Sequence, residues 1–231
     1  MRIDIWSDVV CPWCWIGKHR FLRALETMGA DAPQVDVHWH PFRLDPDAAG
    51  AAPLPLREAL AAKFGGMARV EQMLAQTQSA GRAEGLPFDF DQGQVRADTF
   101  DAHRLLWLAA REGDADAVGE ALFHAHFAEG RNVADPDVLV AAGAAGGLGE
   151  VRVRAMLGSD EGRAEVEAGL GQARSLGISA VPTFVIDGRY AVQGAQSPDT
   201  FVQVLARVAA EHVPAATGAD ANACGPDGCT I

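Results

Sequence analysis

The chain has 231 residues, of which 48% are hydrophobic and 22% charged, so it is long enough to bury a substantial core. Its 31 acidic and 19 basic side chains give a formal net charge of -12, which repels nucleic acid and anionic membranes, and we expect neither as a partner. No stretch without Asp, Glu, Lys or Arg exceeds twelve residues, whereas a membrane-spanning helix needs roughly 20 apolar residues.

The first predicted elements are a short buried strand, from Ile3 to Ser7, and a helix that begins soon after it. Cys11 falls at the helix N-cap and Pro12 at the first helical position, where the missing N–H of proline costs nothing. A thiolate at Cys11 would face free backbone N–H groups and the positive end of the helix dipole, which favours the charged sulfur. Cys14 lies one turn further along, where it can attack a mixed disulfide formed by Cys11. The pair is therefore predicted to cycle between dithiol and disulfide.

A zinc knuckle uses the same Cys-x-x-Cys spacing, but it usually has a second pair of ligands. The other two cysteines, Cys224 and Cys229, lie near the C-terminus behind a linker of small residues. The strand–turn–helix context favours a redox pair over a zinc site or inert core cysteines, and we predict no bound metal. Because no secretory leader pattern precedes the first strand, we expect a cytoplasmic protein. In the cytoplasm, a Cys-x-x-Cys pair is more often a reversible redox pair than a structural disulfide.

The next part of the chain predicts a second strand and then a long helical block. The first helix should end near Gly29, and residues 35–42 alternate in polarity like a strand, which completes a βαβ unit. Strand signals are then absent from Leu44 to about Asp160. The apolar spacing and caps in this region predict six helices, which are Leu56 to Phe64, Ala68 to Glu84, Thr99 to Glu112, Ala115 to Glu129, Pro136 to Ala145 and Glu150 to Leu157.

Strand signals return near the C-terminus. A helix over residues 160–176 is followed by a strand over 178–186, a turn at Asp187-Gly188, a second strand over 189–192 and a last helix from Pro198 to about Glu211. The element order predicts an α/β protein with a thioredoxin-like fold and a large helical insertion. Residues 1–44 and 160–212 would form the thioredoxin-like domain, residues 45–159 the insertion domain, and residues 213–231 a flexible tail with the second cysteine pair.

Three motifs in this order resemble the DsbA family of thioredoxin-like oxidoreductases. They are Cys11-Pro12-Trp13-Cys14 after the first strand, a helical block, and Val181-Pro182-Thr183 before the penultimate strand. Segments 7–17, 99–105 and 177–198 look specifically like the cytosolic FrnE-like branch of that family, although Asp98 stands where asparagine is expected and Ala180 where glycine is usual. The resemblance implies thiol–disulfide exchange through Cys11 and Cys14. It also implies a cis peptide between Val181 and Pro182 beside the two sulfurs.

Several neighbouring side chains are candidates for supporting roles. Asp8 could relay a proton to or from Cys14, or it could be a solvated carboxylate in a turn. Trp13, Trp15 and Phe42 could form an apolar wall for an unfolded peptide, although Trp15 on its own suits the core better. His103 either faces the substrate groove or is a structural histidine. The pair Cys224 and Cys229 could be a second redox relay, an incidental disulfide or a metal-scavenging end.

Two other functions stay open on the same fold. One is a glutathione-dependent isomerase or transferase acting on a small aromatic metabolite, but relatives of that kind generally carry serine where Cys11 stands. The other is a holdase that binds unfolded chains. Beyond the redox-active disulfide we expect no cofactor, with glutathione as a candidate co-substrate. The expected partners are thiol- or disulfide-containing proteins or small molecules, and the sequence does not distinguish a monomer from a homodimer.

Overall fold

The computed structural model of the chain describes residues 1–52 and 54–212. Its N-terminal part is a βαβ unit of β1 (Arg2–Ser7), α1 (Pro12–Met28) and β2 (Asp36–Pro41), with β1 and β2 parallel as predicted. Helix α1 is capped at its C-terminus by Gly29, whose φ of 54° favours a residue without a Cβ. The sequence therefore predicted this unit correctly.

The chain continues into a helical lobe, which we define as residues 54–157. Its elements are β3 (Leu54–Pro55), α2 (Leu56–Phe64), α3 (Met67–Ala83), β4 (Val95–Arg96), α4 (Phe100–Glu112), α5 (Ala115–Phe127), α6 (Pro136–Ala145) and α7 (Glu150–Leu157). The six helices agree with the prediction, but the expected absence of strands is wrong. Strands β3 and β4 pair antiparallel, Leu54 with Arg96 and Pro55 with Val95. Two-residue strands are too short to produce an alternating pattern.

The chain then returns to the sheet through α8 (Arg163–Ser175), β5 (Thr183–Ile186), β6 (Tyr190–Gln193) and α9 (Pro198–His212). Strands β5 and β6 are antiparallel to their neighbours, and the sheet order is β2-β1-β5-β6. The predicted strand over 178–186 begins only at Thr183, because Pro182 has no N–H to donate to the sheet. The architecture is the thioredoxin-like fold with helical insertion that the sequence predicted. Among the described residues, no helix is long and apolar enough to span a membrane.

Three apolar clusters form the core. One lies between the sheet, α1 and α9, and a second fills the helical lobe. The third, which we call the aromatic cluster, joins α1 to the lobe and consists of Trp15, Phe88, Phe90, Phe123 and Phe127 packed with Cys11 and Cys14. The two cysteines therefore lie where α1 packs against the helical lobe.

A buried arginine holds the far side of the lobe together. Arg104 on α4 is only 1% exposed, and its guanidinium donates hydrogen bonds to the backbone carbonyls of Met156, Ser159 and Glu161 at 2.6–2.8 Å. It also pairs with Asp101 at 2.8 Å. These contacts fasten the segment between α7 and α8 onto α4.

Glu120 on α5 connects the lobe to α1. Its carboxylate accepts hydrogen bonds from Trp15 Nε1 at 2.7 Å and Lys18 Nζ at 2.8 Å, and it lies 3.1 Å from His19 Nε2. Partial burial acts to raise the pKa of Glu120, but the hydrogen bonds from His19, Lys18 and Trp15 and the charge of Lys18 outweigh it and lower the pKa to about 2.

We expect Glu120→Gln to reduce the free energy of unfolding by about 1–2 kcal/mol at pH 7, since the carboxylate is partly exposed and its interactions are screened. A carboxylate whose pKa falls on folding stabilises the protein above its unfolded pKa, and this stabilisation is lost as the pH falls through the folded value. The difference between wild type and variant in urea denaturation should therefore shrink by more than half between pH 7 and pH 3. Glu167→Gln, on the exposed side of α8, is the control. A difference that does not change with pH would contradict this account.

Candidate active site

The turn between β1 and α1 fixes the position of Cys11. The N–H of Cys11 donates to the Asp8 carbonyl at 2.9 Å, and the N–H of Cys14 donates to the Cys11 carbonyl at 3.0 Å. Cys11 is the N-cap, with extended backbone angles of φ −94° and ψ 110°, and Pro12 is the first helical residue. The predicted strand–turn–helix placement of the two cysteines is confirmed.

The two sulfurs have different environments. Both cysteines are free thiols and both are buried, with Cys11 3% and Cys14 1% exposed. Burial raises the pKa of the Cys14 thiol well above its ordinary value. The hydrogen bond that this thiol donates to Cys11 acts in the same direction, while the Ser7 hydroxyl and the Asp8 N–H oppose it. The Cys14 thiol is thus held in its protonated form.

The Cys11 sulfur faces the Pro182 loop. Its thiol donates to the Val181 carbonyl oxygen at 3.7 Å, and it makes no capping hydrogen bond to α1. The peptide bond between Val181 and Pro182 is cis, as the resemblance implied. Gly17 allows α1 to approach this loop, since a Cβ at residue 17 would lie 2.9 Å from Pro182 Cγ.

We expect Gly17→Ala to displace Pro182 and to lower both stability and thiol–disulfide exchange. Alanine adds up to about 1 kcal/mol of helix propensity, but a clash in a packed contact typically costs about 1–3 kcal/mol, so the net effect should be destabilising. Gly171→Ala on α8 is the matched control, because its Cβ would meet nothing closer than Arg174 Nη2 at 3.8 Å. Thermal unfolding and turnover with a disulfide substrate measure the two effects. A Gly17→Ala protein as stable and as active as the control variant would show that the close approach is unimportant.

Asp8 and His103 come together directly behind the cysteines. Asp8 is fully buried, so the alternative of a solvated turn carboxylate is wrong. Its Oδ2 accepts the Leu44 N–H at 2.8 Å, and its Oδ1 lies 3.5 Å from His103 Nε2. The same Nε2 lies 2.9 Å from the Phe42 carbonyl oxygen. Because a carbonyl oxygen can only accept, Nε2 carries the proton.

The sequence did not predict a second buried histidine near Asp8. His126 on α5 is 1% exposed, and burial lowers its pKa to about 4, although the negative charge of Asp8 opposes this shift. A usable signal was present, because His126 lies three and four residues after the apolar Phe123 and Leu122 and therefore on the buried face of α5.

The aromatic residues near the cysteines differ in exposure. Trp13 is 38% exposed, and so is Leu44, whose N–H binds Asp8. Phe42 is half-buried, and its carbonyl holds His103. Trp15 is buried in the aromatic cluster. Trp13 and Leu44 are therefore the large apolar side chains here that an incoming substrate could meet.

In the part of the chain that the structure describes, no group of three or more His, Cys, Asp or Glu side chains could hold a metal ion. The second pair, Cys224 and Cys229, lies outside the described residues. Its role stays a prediction.

A mixed four-stranded sheet, a helical lobe inserted after the βαβ unit and a Cys-x-x-Cys at the start of α1 define a DsbA-like thioredoxin fold. Residues 2–206 match the DSBA-like thioredoxin domain family, and the chain belongs to it.

Among solved structures, the chain is similar to SCO1869 from Streptomyces coelicolor, described as a probable DsbA oxidoreductase, with 37% identity and a TM-score of 0.86 over 100% of this chain and 99% of that one. It is 27% identical to YwbO of Bacillus subtilis, an uncharacterized protein, over 89% of this chain and 96% of the relative. The cytosolic disulfide reductase DsbM from Pseudomonas aeruginosa, solved with GSH, is 22% identical with a TM-score of 0.61 over 91% of this chain and 100% of that one. This last similarity concerns the fold.

Proposed function

We propose that the protein is a thiol–disulfide oxidoreductase that exchanges disulfides through Cys11 and Cys14. The observation that carries the proposal is the pair of buried free thiols at the start of α1, with Cys11 at the N-cap and Cys14 in the first turn. Two thiols with this spacing at a helix N-terminus are arranged to close a disulfide.

When the substrate is a disulfide, the reaction oxidises the enzyme. The Cys11 thiolate attacks the substrate disulfide, forms a mixed disulfide and releases one half of the substrate as a thiolate, which takes a proton from solvent. Cys14 then loses its proton to Asp8 and attacks the Cys11 sulfur. The bond between Cys11 and the substrate breaks, and the second substrate thiol leaves with a proton from solvent. The Val181 carbonyl, 3.7 Å from the Cys11 sulfur, is placed to accept an N–H from a bound peptide. The reverse sequence oxidises a dithiol substrate.

The proposed substrates are thiol- or disulfide-containing proteins and small molecules, including glutathione. Trp13, exposed beside the cysteines, supports contact with apolar peptide segments. DsbM is named as cytosolic and was solved with GSH, so its shared fold is consistent with a cytoplasmic protein that uses glutathione. Membership of the FrnE-like branch is part of the same proposal.

The test uses a full-length Cys224→Ser/Cys229→Ser protein, in which Cys11 and Cys14 are the only cysteines and therefore the only thiols that can be alkylated or oxidised. We expect iodoacetamide to alkylate Cys11 at pH 7 about tenfold faster than a free cysteine, and the pair to equilibrate with glutathione at a defined reduction potential. Alkylation as slow as for a free thiol, or a pair that never equilibrates, would overturn the proposal. Glutathione addition to a small electrophile that persists in Cys14→Ser would instead indicate a transferase. Suppression of aggregation that persists in Cys11→Ser without thiol exchange would indicate a holdase.

A further inference from the structure

We propose that the outer edge of β2 is a docking site for an extended, basic segment of another polypeptide, which pairs with β2 and lengthens the sheet by one strand. The occupant is a segment of a substrate protein, and this role rests on the proposed function. The site lies apart from the Pro182 loop and gives the protein a contact that a small thiol cannot make.

Strand β2 has an unpaired edge, because the sheet order is β2-β1-β5-β6 and β1 is its neighbour on one side. The N–H of Asp36 donates to the Met1 carbonyl at 2.9 Å, so the even-numbered residues of β2 turn their backbone groups toward β1. The N–H and C=O groups of Val37 and Trp39 therefore point away from β1. Within residues 1–52 and 54–212, these outward groups have no hydrogen-bond partner. Only an extended backbone offers donors and acceptors at the matching spacing.

A cavity of about 1230 Å³ runs along this edge, between β2 and helices α1, α4, α5 and α8. Every residue from 35 to 41 lines it. Because successive side chains of a strand point to opposite faces of the sheet, a cavity that touches all of them must follow the strand edge. Small-molecule sites usually have volumes of about 300–1000 Å³, so this cavity has room for an extended chain.

Helix α8 limits the length of the free edge. A Cβ at Gly169 would lie 2.7 Å from Pro41 Cγ, so α8 closes the edge at the last residue of β2. The edge that an added strand can use extends from Val35 to Trp39. Strand β6, at the opposite side of the sheet, does not line the cavity.

The two faces of β2 differ in polarity. Val37 and Trp39 pack against the core cluster between the sheet, α1 and α9, and Leu22 of α1, 39% exposed, also lines the cavity. Asp36 and His38 point to the opposite face, where His38 Nε2 lies 2.8 Å from Asp36 Oδ2. Side chains of paired strands lie beside each other on the same face. An added strand therefore fits best when apolar and polar residues alternate along it.

The charge of the cavity favours a basic segment. Of the Lys and Arg side chains in the described residues, the only one that lines the cavity is Lys18, which is 4% exposed and already pairs with Asp116 at 3.0 Å and Glu120 at 2.8 Å. The carboxylates of the lining are exposed and belong to Asp36, Asp114, Asp116 and Glu165. A second copy of this chain, with a formal net charge of -12, would bring like charges to the edge. Lysine or arginine on the polar side of an added strand would instead pair with these carboxylates.

The test measures the binding of fluorescent peptides to the full-length protein by fluorescence anisotropy. The probe is a cysteine-free peptide in which lysine and valine alternate, matched in length to β2. One control has glutamate in place of lysine, and the other has the same composition with the lysines and valines in separate blocks. We expect the alternating lysine peptide to bind at least about tenfold more tightly than either control. Equal binding of the alternating and block peptides would overturn the proposal.

Two N-methylated versions of the probe test backbone pairing in the unaltered protein. The N–H groups of the valines point to one edge of an extended peptide and those of the lysines to the other. Because one edge faces β2, methylation of one set should weaken binding at least about tenfold, and methylation of the other set should have little effect. Equal effects of the two methylations would contradict pairing with β2.

Val37→Pro tests the same contact from the side of the protein. Proline removes the outward N–H of residue 37 and leaves the hydrogen bonds to β1 intact. Val37→Ala is the matched control, because it shortens the side chain and keeps the N–H. The proline variant should bind the probe at least about tenfold more weakly than the alanine variant. Equal affinities in two folded variants would count against the site, and the N-methylated peptides decide the question if the proline variant does not fold.

Further outcomes separate this inference from its alternatives. A wild-type dimer that becomes a monomer in Val37→Pro, measured by sedimentation velocity, would assign the edge to a second copy and overturn the proposal. The probe has no cysteine, so its binding does not depend on the chemistry of Cys11. An unreactive Cys11 in a protein that binds the probe would contradict the proposed function alone. A reactive Cys11 in a protein that does not bind the probe would contradict the docking site alone.

Discussion

Replacing Cys11 by serine should reduce turnover with a disulfide substrate by on the order of a thousandfold or more, because the attacking sulfur is lost. Cys14→Ser should also stop turnover, but at a later step. Cys11 would still attack, and the mixed disulfide would accumulate because no second sulfur resolves it. The two variants therefore differ in the species that they leave behind.

Both variants are best compared in the Cys224→Ser/Cys229→Ser background, with oxidised glutathione as the substrate and intact-protein mass spectrometry as the readout. We expect a stable glutathione adduct on Cys14→Ser, little adduct on the parent protein and none on Cys11→Ser. An adduct on Cys14 in the Cys11→Ser protein would show that the roles of the two sulfurs are exchanged. In the presence of the tail cysteines, full turnover by Cys11→Ser would assign the chemistry to Cys224 and Cys229.

Replacing Arg104 by methionine should lower the free energy of unfolding by about 3–5 kcal/mol. Three backbone carbonyls, those of Met156, Ser159 and Glu161, would lose the guanidinium that satisfies them, and the bond to Met156 is fully buried. Since domains are typically stable by only about 5–15 kcal/mol, such a loss would leave little margin at 37 °C. Methionine occupies a similar length, so the effect would report the hydrogen bonds more than an empty cavity.

The matched control is Arg111→Met on the same helix, where the arginine is exposed and stacks over Trp107 at 4.6 Å. This change should cost less than about 1 kcal/mol. Urea denaturation of the wild type and the two variants gives the comparison directly, provided that the slope of the unfolding free energy against urea concentration is the same in all three. Equal losses at both positions would mean that the carbonyls near Ser159 find other donors.

Local chemistry explains why the start of α1 could be predicted from the sequence. The N-cap role of Cys11 and the first-turn role of Pro12 depend on residues next to each other, and the helices of the lobe followed from apolar spacing and caps. The contact of His103 with Asp8 joins residues 95 positions apart, and no local pattern encodes it. Arg104 was missed for a different reason, since an arginine beside apolar residues is usually on the solvent side of a helix and only the folded chain supplies its carbonyl partners.

The first two turns of α1 hold both the sulfur chemistry and the attachment to the lobe. Cys11 and Cys14 face the Pro182 loop and the aromatic cluster, while Trp15, Lys18 and His19 bind Glu120 on α5. A chimera that carried the lobe of a relative would keep an intact redox motif yet lose its anchor, unless a carboxylate matching Glu120 were transplanted with it. The lobe and the motif therefore depend on the same two turns of helix.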